Sequence, residues 1–135
     1  MYDYDFMDTP WNYYTYPEVT EIILSKDITS IGSWAFSDCV KVETIDLPYG
    51  IERIGDSAFQ FCDSLKSVEL PNSVTEIGTS LFRSSGVTSV VLSEQLTTIP
   101  YGTFLDSALE TYHVPDHITV IEWEAFLSCD SLKSV

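Results

Sequence analysis

Three cysteines, two histidines and a run of aspartates are the residues of this chain best suited to chemistry. As thiolates, Cys39, Cys62 and Cys129 would serve as nucleophiles or metal ligands. His113 and His117 supply imidazoles for a Cys–His dyad, which needs the thiol beside the ring. Asp3, Asp5 and Asp8 offer alternate carboxylates for Ca²⁺. That ion takes about 6–8 oxygens and usually a glycine turn. Whether any of these groups converge depends on the elements that carry them.

Those elements are set by an internal repeat. Phe36, Phe59, Phe82, Phe104 and Phe126 are spaced by 23, 23, 22 and 22 residues. Ile31, Ile54, Ile77, Ile99 and Ile121 keep the same step five places earlier. Further apolar columns run through Val42, Leu65, Val87, Leu109 and Leu132, and through Ile22, Ile45, Val68, Val90, Tyr112 and Val135. Another holds Leu24, Leu47, Leu70, Leu92 and Val114. A period of about 20–29 residues with an L-x-x-L-x-L core is the leucine-rich-repeat signature. Cys62-Asp63-Ser64-Leu65 shortens to Ser85-Gly86-Val87 and then to Ser107-Ala108-Leu109, so the lost residue falls in a turn.

Each repeat reads in two parts. Leu65-x-x-Val68-x-Leu70 alternates apolar and polar, as a half-buried strand does, and Pro71 ends it. Val74-x-x-Ile77 is a second short extended segment on the return side. Gly55-Asp56-Ser57-Ala58-Phe59 predicts a single helical turn with Asp or Ser as N-cap. Stacked units bury a continuous core that no single unit can bury, with the strands in a parallel sheet along one face. Gly32, Gly55 and Gly78 share a column with Pro100 and Glu122. Proline holds φ near about −65°, so this column predicts negative φ, with glycine there for close packing or helix entry. Trp34 and Trp123 flank the turns, one of them as core edge.

The repeat removes most of the chemistry. Cys39, Cys62 and Cys129 share a column with Ser85 and Ser107. Serine suits a buried ladder of small hydrogen-bonding side chains and would ruin thiolate ligation. His113 lies on the outward side of a strand and His117 in the next turn, whereas the cysteines should point inward. No glycine is near the three aspartates, so they read as a solvated acidic surface. The expectation is no enzyme, no cofactor and no metal.

Composition narrows the partners. Six Lys and Arg stand against 21 Asp and Glu, a net charge of −15. Nucleic-acid backbones and anionic membrane surfaces both need a basic patch, so neither is an expected partner. No apolar run reaches the roughly 20 residues of a membrane-spanning helix, so no membrane insertion is expected. Hydrophobic residues at 44% suffice for a core. Residues 1–17 break the period and carry Tyr2, Tyr4, Phe6, Trp11, Tyr13, Tyr14 and Tyr16, which predicts an aromatic N-terminal cap. Residues 18–135 then form about five coils, stopping within the next strand at Val135. That leaves an uncapped C-terminal coil suited to end-to-end self-association. The N-terminus has no basic start or apolar core, so it does not read as a signal peptide. Either the protein is intracellular or the chain is a piece of a longer one, and the broken strand favours the piece.

The pattern L-x-x-V-x-L-P-x-x-V-x-x-I-G-x-x-A-F over Leu65–Phe82, with Cys62, resembles the BspA-like leucine-rich repeats. Pro100, Thr103, Ser107 and Glu122 depart from it locally. The resemblance implies a leucine-rich-repeat solenoid with a parallel β-sheet on the concave face. It also implies a secreted or surface-attached, extracellular bacterial protein that binds other proteins in adhesion. A structural spacer that presents another domain is the alternative.

On that fold the concave face is the candidate site. Its outward strand positions are Glu21 and Ile23, Thr44 and Asp46, Ser67 and Glu69, Ser89 and Val91, then Thr111 and His113. Glu43, Lys66 and Glu110 stand beside them. A hydroxyl-lined, acidic sheet of this kind suits a peptide or a basic protein segment. Equally, Thr and Ser simply suit exposed strand positions.

Overall fold

A computed structural model describes residues 18–135, and the expected 1–17 cap lies outside the described residues. Each coil carries two short strands. The first strands are β1 (Glu21–Ile23), β3 (Thr44–Asp46), β5 (Ser67–Glu69) and β7 (Ser89–Val91). The return strands are β2 (Ser30–Ile31), β4 (Arg53–Ile54), β6 (Glu76–Ile77), β8 (Thr98–Ile99) and β9 (Val120–Ile121). All pairs are parallel and join like to like: Ile22 to Ile45, Val68 to Val90, Ile31 to Ile54 to Ile77 and Ile99 to Ile121. The apolar columns of the sequence are therefore the registers of the sheets. A slip of one residue would turn every buried side chain outward.

The concave sheet is less continuous than the repeat predicts. β1 pairs with β3, β5 with β7, and Thr111 bridges to Ser134, but no ladder joins β3 to β5 or β7 to Thr111. These two strands still lie side by side. On the return side the break falls between β6 and β8.

The turns carry the unbroken connection, and they are not helical. Trp34, Ser57, Ser80, Gly102 and Glu124, two residues before each Phe, have φ between 53° and 63°. Asp38, Phe61, Ser84, Asp106 and Ser128, two residues after, have φ between 51° and 62°. Left-handed residues cost about 1–2 kcal/mol each and prevent an α-helix from propagating. What offsets them is a set of bonds between coils. Trp34, Phe36 and Asp38 donate their N–H groups to the carbonyls of Asp56, Ala58 and Gln60 in the next coil at 2.8–2.9 Å. The N–H groups between them close turns within the coil, as in Ala35 to Gly32 and Ser37 to Trp34. The pattern repeats from Ser57, Phe59 and Phe61, from Ser80, Phe82 and Ser84, and from Gly102, Phe104 and Asp106. Every rung runs from a coil's N–H to the following coil's C=O.

This geometry reassigns the expected N-caps. Asp56 Oδ1 accepts the N–H of Thr79 at 2.7 Å, and Ser33 Oγ accepts that of Asp56 at 3.2 Å. Each side chain caps the next coil rather than a helix of its own. Glu122, at a glycine position, reaches the other way and accepts the N–H of Tyr101 at 2.8 Å.

Gly55 and Gly78 serve close packing, as their column predicts. Neither has positive φ. A Cβ on Gly55 would lie 2.4 Å from Ser33 N, and one on Gly78 2.4 Å from Asp56 N. Where the coil shortens, a Cβ on Gly86 would meet the Asp63 carbonyl.

The core is a column of phenylalanines. Successive rings from Phe36 to Phe104 sit 5.6–5.8 Å apart and within 11° of parallel. Phe126 continues the stack at 5.3 Å. Tyr112 replaces an aliphatic residue and tilts against Phe104 and Phe126. Its buried hydroxyl has no partner among the described residues. The last coil is open on its outer side: Ile121 is 48% exposed, whereas its column neighbour Ile99 is fully buried. Trp123 is exposed, and Trp34 is the tryptophan nearer the core edge.

Candidate binding face

The reactive residues of the sequence do not assemble. All three cysteines are buried. Cys62 Sγ reaches the Phe36 carbonyl at 3.2 Å, Ser85 Oγ that of Phe82 at 2.7 Å, and Cys129 Sγ that of Phe104 at 2.9 Å. The thiols reach the phenylalanine carbonyl of the preceding coil, and the shorter serine that of its own coil. Burial pushes the Cys39 thiol up to about 12, helped by the nearby Asp38 carboxylate, and raises Cys62 well above the usual range. Nucleophilic thiolate needs the opposite shift. His113 is exposed on the concave face, while His117 Nδ1 contacts the Leu96 carbonyl at 2.7 Å. Among the described residues, no group of three or more His, Cys, Asp or Glu is placed to hold a metal ion. Among them, too, no helix is long and apolar enough to cross a membrane.

The concave positions do assemble. Glu21, Ile23, Glu43, Thr44, Asp46, Lys66, Ser67, Glu69, Ser89, Val91, Glu110, Thr111 and His113 are all exposed. The strands alternate exposed and covered side chains, so every second residue faces out. Pairing sets Glu21 beside Thr44, Ile23 beside Asp46, Ser67 beside Ser89 and Glu69 beside Val91. The repeat places these pairs, with Thr111 and His113, in two rows across the strands. Among the described residues the one ion pair is Lys41 with Glu18, off this face. Lys66, the single cation among the thirteen, turns its amine to the Asp63 carbonyl at 3.0 Å. Five carboxylates of the face therefore stand without an ion-pair partner among the described residues.

The sequence profile of the BspA type leucine-rich repeat region matches residues 10–133 in six copies. The chain belongs to the BspA-type leucine-rich repeat family. No curated protein matches it. Among solved structures, these BspA-type repeats are similar to the leucine-rich repeat protein TpLRR of T. pallidum, with a TM-score of 0.79 and 30% identity over 85% of this chain and 55% of that one. They are also similar to the pneumococcal vaccine antigen PcpA, with a TM-score of 0.70 and 29% identity over 81% of this chain and 28% of that one. A leucine-rich cell surface protein of Faecalibacterium prausnitzii A2-165 gives 0.65 and 27%, over 84% and 40%. The chain thus spans between about a quarter and just over half of these proteins.

Hollows open on both sides of the BspA-type coils. One, of about 490 Å³, lies between Leu24, Leu47, Pro48 and Tyr49, with Ile23 and Asp46 of the concave row on its wall. Nothing in the repeat pattern marks it, because it arises from the loops after β1 and β3. The other, of about 390 Å³, lies on the return side near Glu76 and Thr97. Its carboxylates Asp56 and Glu122 already accept backbone N–H groups. The concave face differs in gathering five exposed carboxylates, Glu21, Glu43, Asp46, Glu69 and Glu110, on one run of strands.

Proposed function

We propose that the chain is a binding module that takes a cationic segment of a partner protein on its concave face. The observation that carries this reading is the set of carboxylates Glu21, Glu43, Asp46, Glu69 and Glu110, exposed on one face without an ion-pair partner among the described residues. Complementary charge speeds encounter and fixes register more than it adds raw affinity. The leucine-rich cell surface protein and the vaccine antigen among the similar structures support a place at the bacterial surface, with adhesion to host or neighbouring-cell proteins as the role. The test is capture from a panel of purified host matrix proteins. Wild type is compared with a variant carrying Glu43→Lys, Asp46→Lys and Glu69→Lys. Capture that weakens with salt and is lost in the variant is expected. Capture that ignores the reversal would remove the concave face from the account.

One observation favours a second role as a spacer. The turn ladder and the phenylalanine stack run through the described coils without a break, which makes a stiff support for another domain.

A further inference from the structure

The row Ile23, Asp46, Glu69, Val91 breaks local rules at each position. Ile23 and Val91 occupy outward strand positions, 80% and 53% exposed, where polar residues are expected. Asp46 and Glu69 sit in one row on adjacent strands, and like charges so placed destabilise a sheet. The strands that carry them, β3 and β5, lie side by side without a ladder between them. Clustered violations with no structural gain mark sites of function.

Resting on the cationic-segment reading above, we infer that this row recognises an extended peptide in which a Lys or Arg stands two residues from an apolar side chain on either side, crossing the strands. The spacing selects that pattern. Three strand steps separate Ile23 from Val91, about 14 Å if β3 and β5 keep ordinary strand spacing, which puts the midpoint between Asp46 and Glu69 about 7 Å along. An extended peptide rises about 3.4 Å per residue, so side chains at i, i+2 and i+4 lie on one face at about 0, 7 and 14 Å. The first apolar side chain meets Ile23, the cation sits between the two carboxylates, and the second apolar side chain meets Val91. At the Ile23 end the hollow beside Tyr49, itself 78% exposed, admits a large apolar side chain.

The test uses the full chain and three immobilised probes. One contains Leu-Thr-Arg-Thr-Leu in a Ser/Gly carrier. The second is its isomer Thr-Leu-Arg-Leu-Thr, which has the same composition but turns leucine and arginine to opposite faces. The third is polylysine. The first probe should bind about tenfold tighter than the isomer, a difference of about 1.4 kcal/mol. In the doubly substituted variant Ile23→Thr, Val91→Thr, that preference should vanish while polylysine capture stays. Both are exposed positions where threonine suits a strand, so folding is preserved. Asp46→Asn with Glu69→Gln should weaken both peptides. Equal binding of the isomers, or a preference that survives Ile23→Thr, Val91→Thr, overturns the row, and polylysine capture then leaves the broader cationic reading standing. Failure to bind all three probes overturns both.

Discussion

The rings of Phe59 and Phe82 lie 5.6 Å apart and 11° from parallel, with each side chain fully enclosed by neighbouring coils. Such a stack has no slack, because each ring is held by the ring above and the ring below. Phe59→Ala would open a cavity between Phe36 and Phe82. A cost of about 3–5 kcal/mol is expected from denaturant unfolding. A loss below about 1 kcal/mol would show that the column is not what holds the coils together.

Gly78→Ala sets two effects against each other. Alanine narrows the unfolded ensemble, which alone would stabilise by about 0.4–1 kcal/mol. The new methyl, however, would sit 2.4 Å from Asp56 N, and overpacking against backbone costs about 1–3 kcal/mol. The clash should win, and the urea midpoint should fall. A variant more stable than wild type would mean that the coils can separate at this point without loss.

Stability should decline in alkali. Burial raises the Cys39 thiol and the Tyr112 phenol to about 12 in the folded state, and the Cys62 thiol well above its usual range. In the unfolded chain these groups ionise near about 8.5 and 10. The folded state therefore keeps its full advantage below about pH 8.5 and loses it as pH rises toward 12, because only the unfolded chain gives up its protons there. Unfolding midpoints measured at pH 7, 9 and 10.5 should fall in that order. Cys39→Ser with Tyr112→Phe should flatten the trend, and a flat wild-type profile would contradict the burial of these groups.

The open coil should associate. Val120, Ile121, Trp123 and Leu127 are exposed there, and the N–H groups of Glu124, Phe126 and Ser128 find no acceptor among the described residues. Exposed strand-like edges recruit other chains. Sedimentation across a wide concentration range should show self-association of the 135-residue chain, reduced by Ile121→Lys with Leu127→Lys. Monomeric behaviour throughout, or association indifferent to those substitutions, would assign the edge no such role.

What the sequence reveals and what it conceals follow from how far each signal reaches. Register was legible because Ile22, Ile45, Val68 and Val90 each state it within their own coil. The cysteine ladder was legible because Ser85 and Ser107 stand in for thiols, and the packing role of Gly55 because Pro100 excludes positive φ from that column. The turn was not legible. Asp56-Ser57-Ala58-Phe59 has the composition of a helix start, and the bonds that choose the left-handed conformation at Ser57 reach Thr79 and Leu81 in the next coil. No local propensity reports a partner 22 residues away. For the same reason the alternation along β3 and β5 pointed Asp46 and Glu69 outward but said nothing of the seam between them. Tyr49 gave no sign of its hollow, since that depends on how two successive loops meet.

The turn ladder has one more consequence. Because every rung points from N–H to C=O in the same sense, a coil inserted in the forward direction meets the bonding pattern already present on both sides, whereas a reversed coil would set donor against donor. Whole coils can thus be duplicated or lost without redesign of the remainder, so the number of turns is free to drift over generations while their order of travel is not.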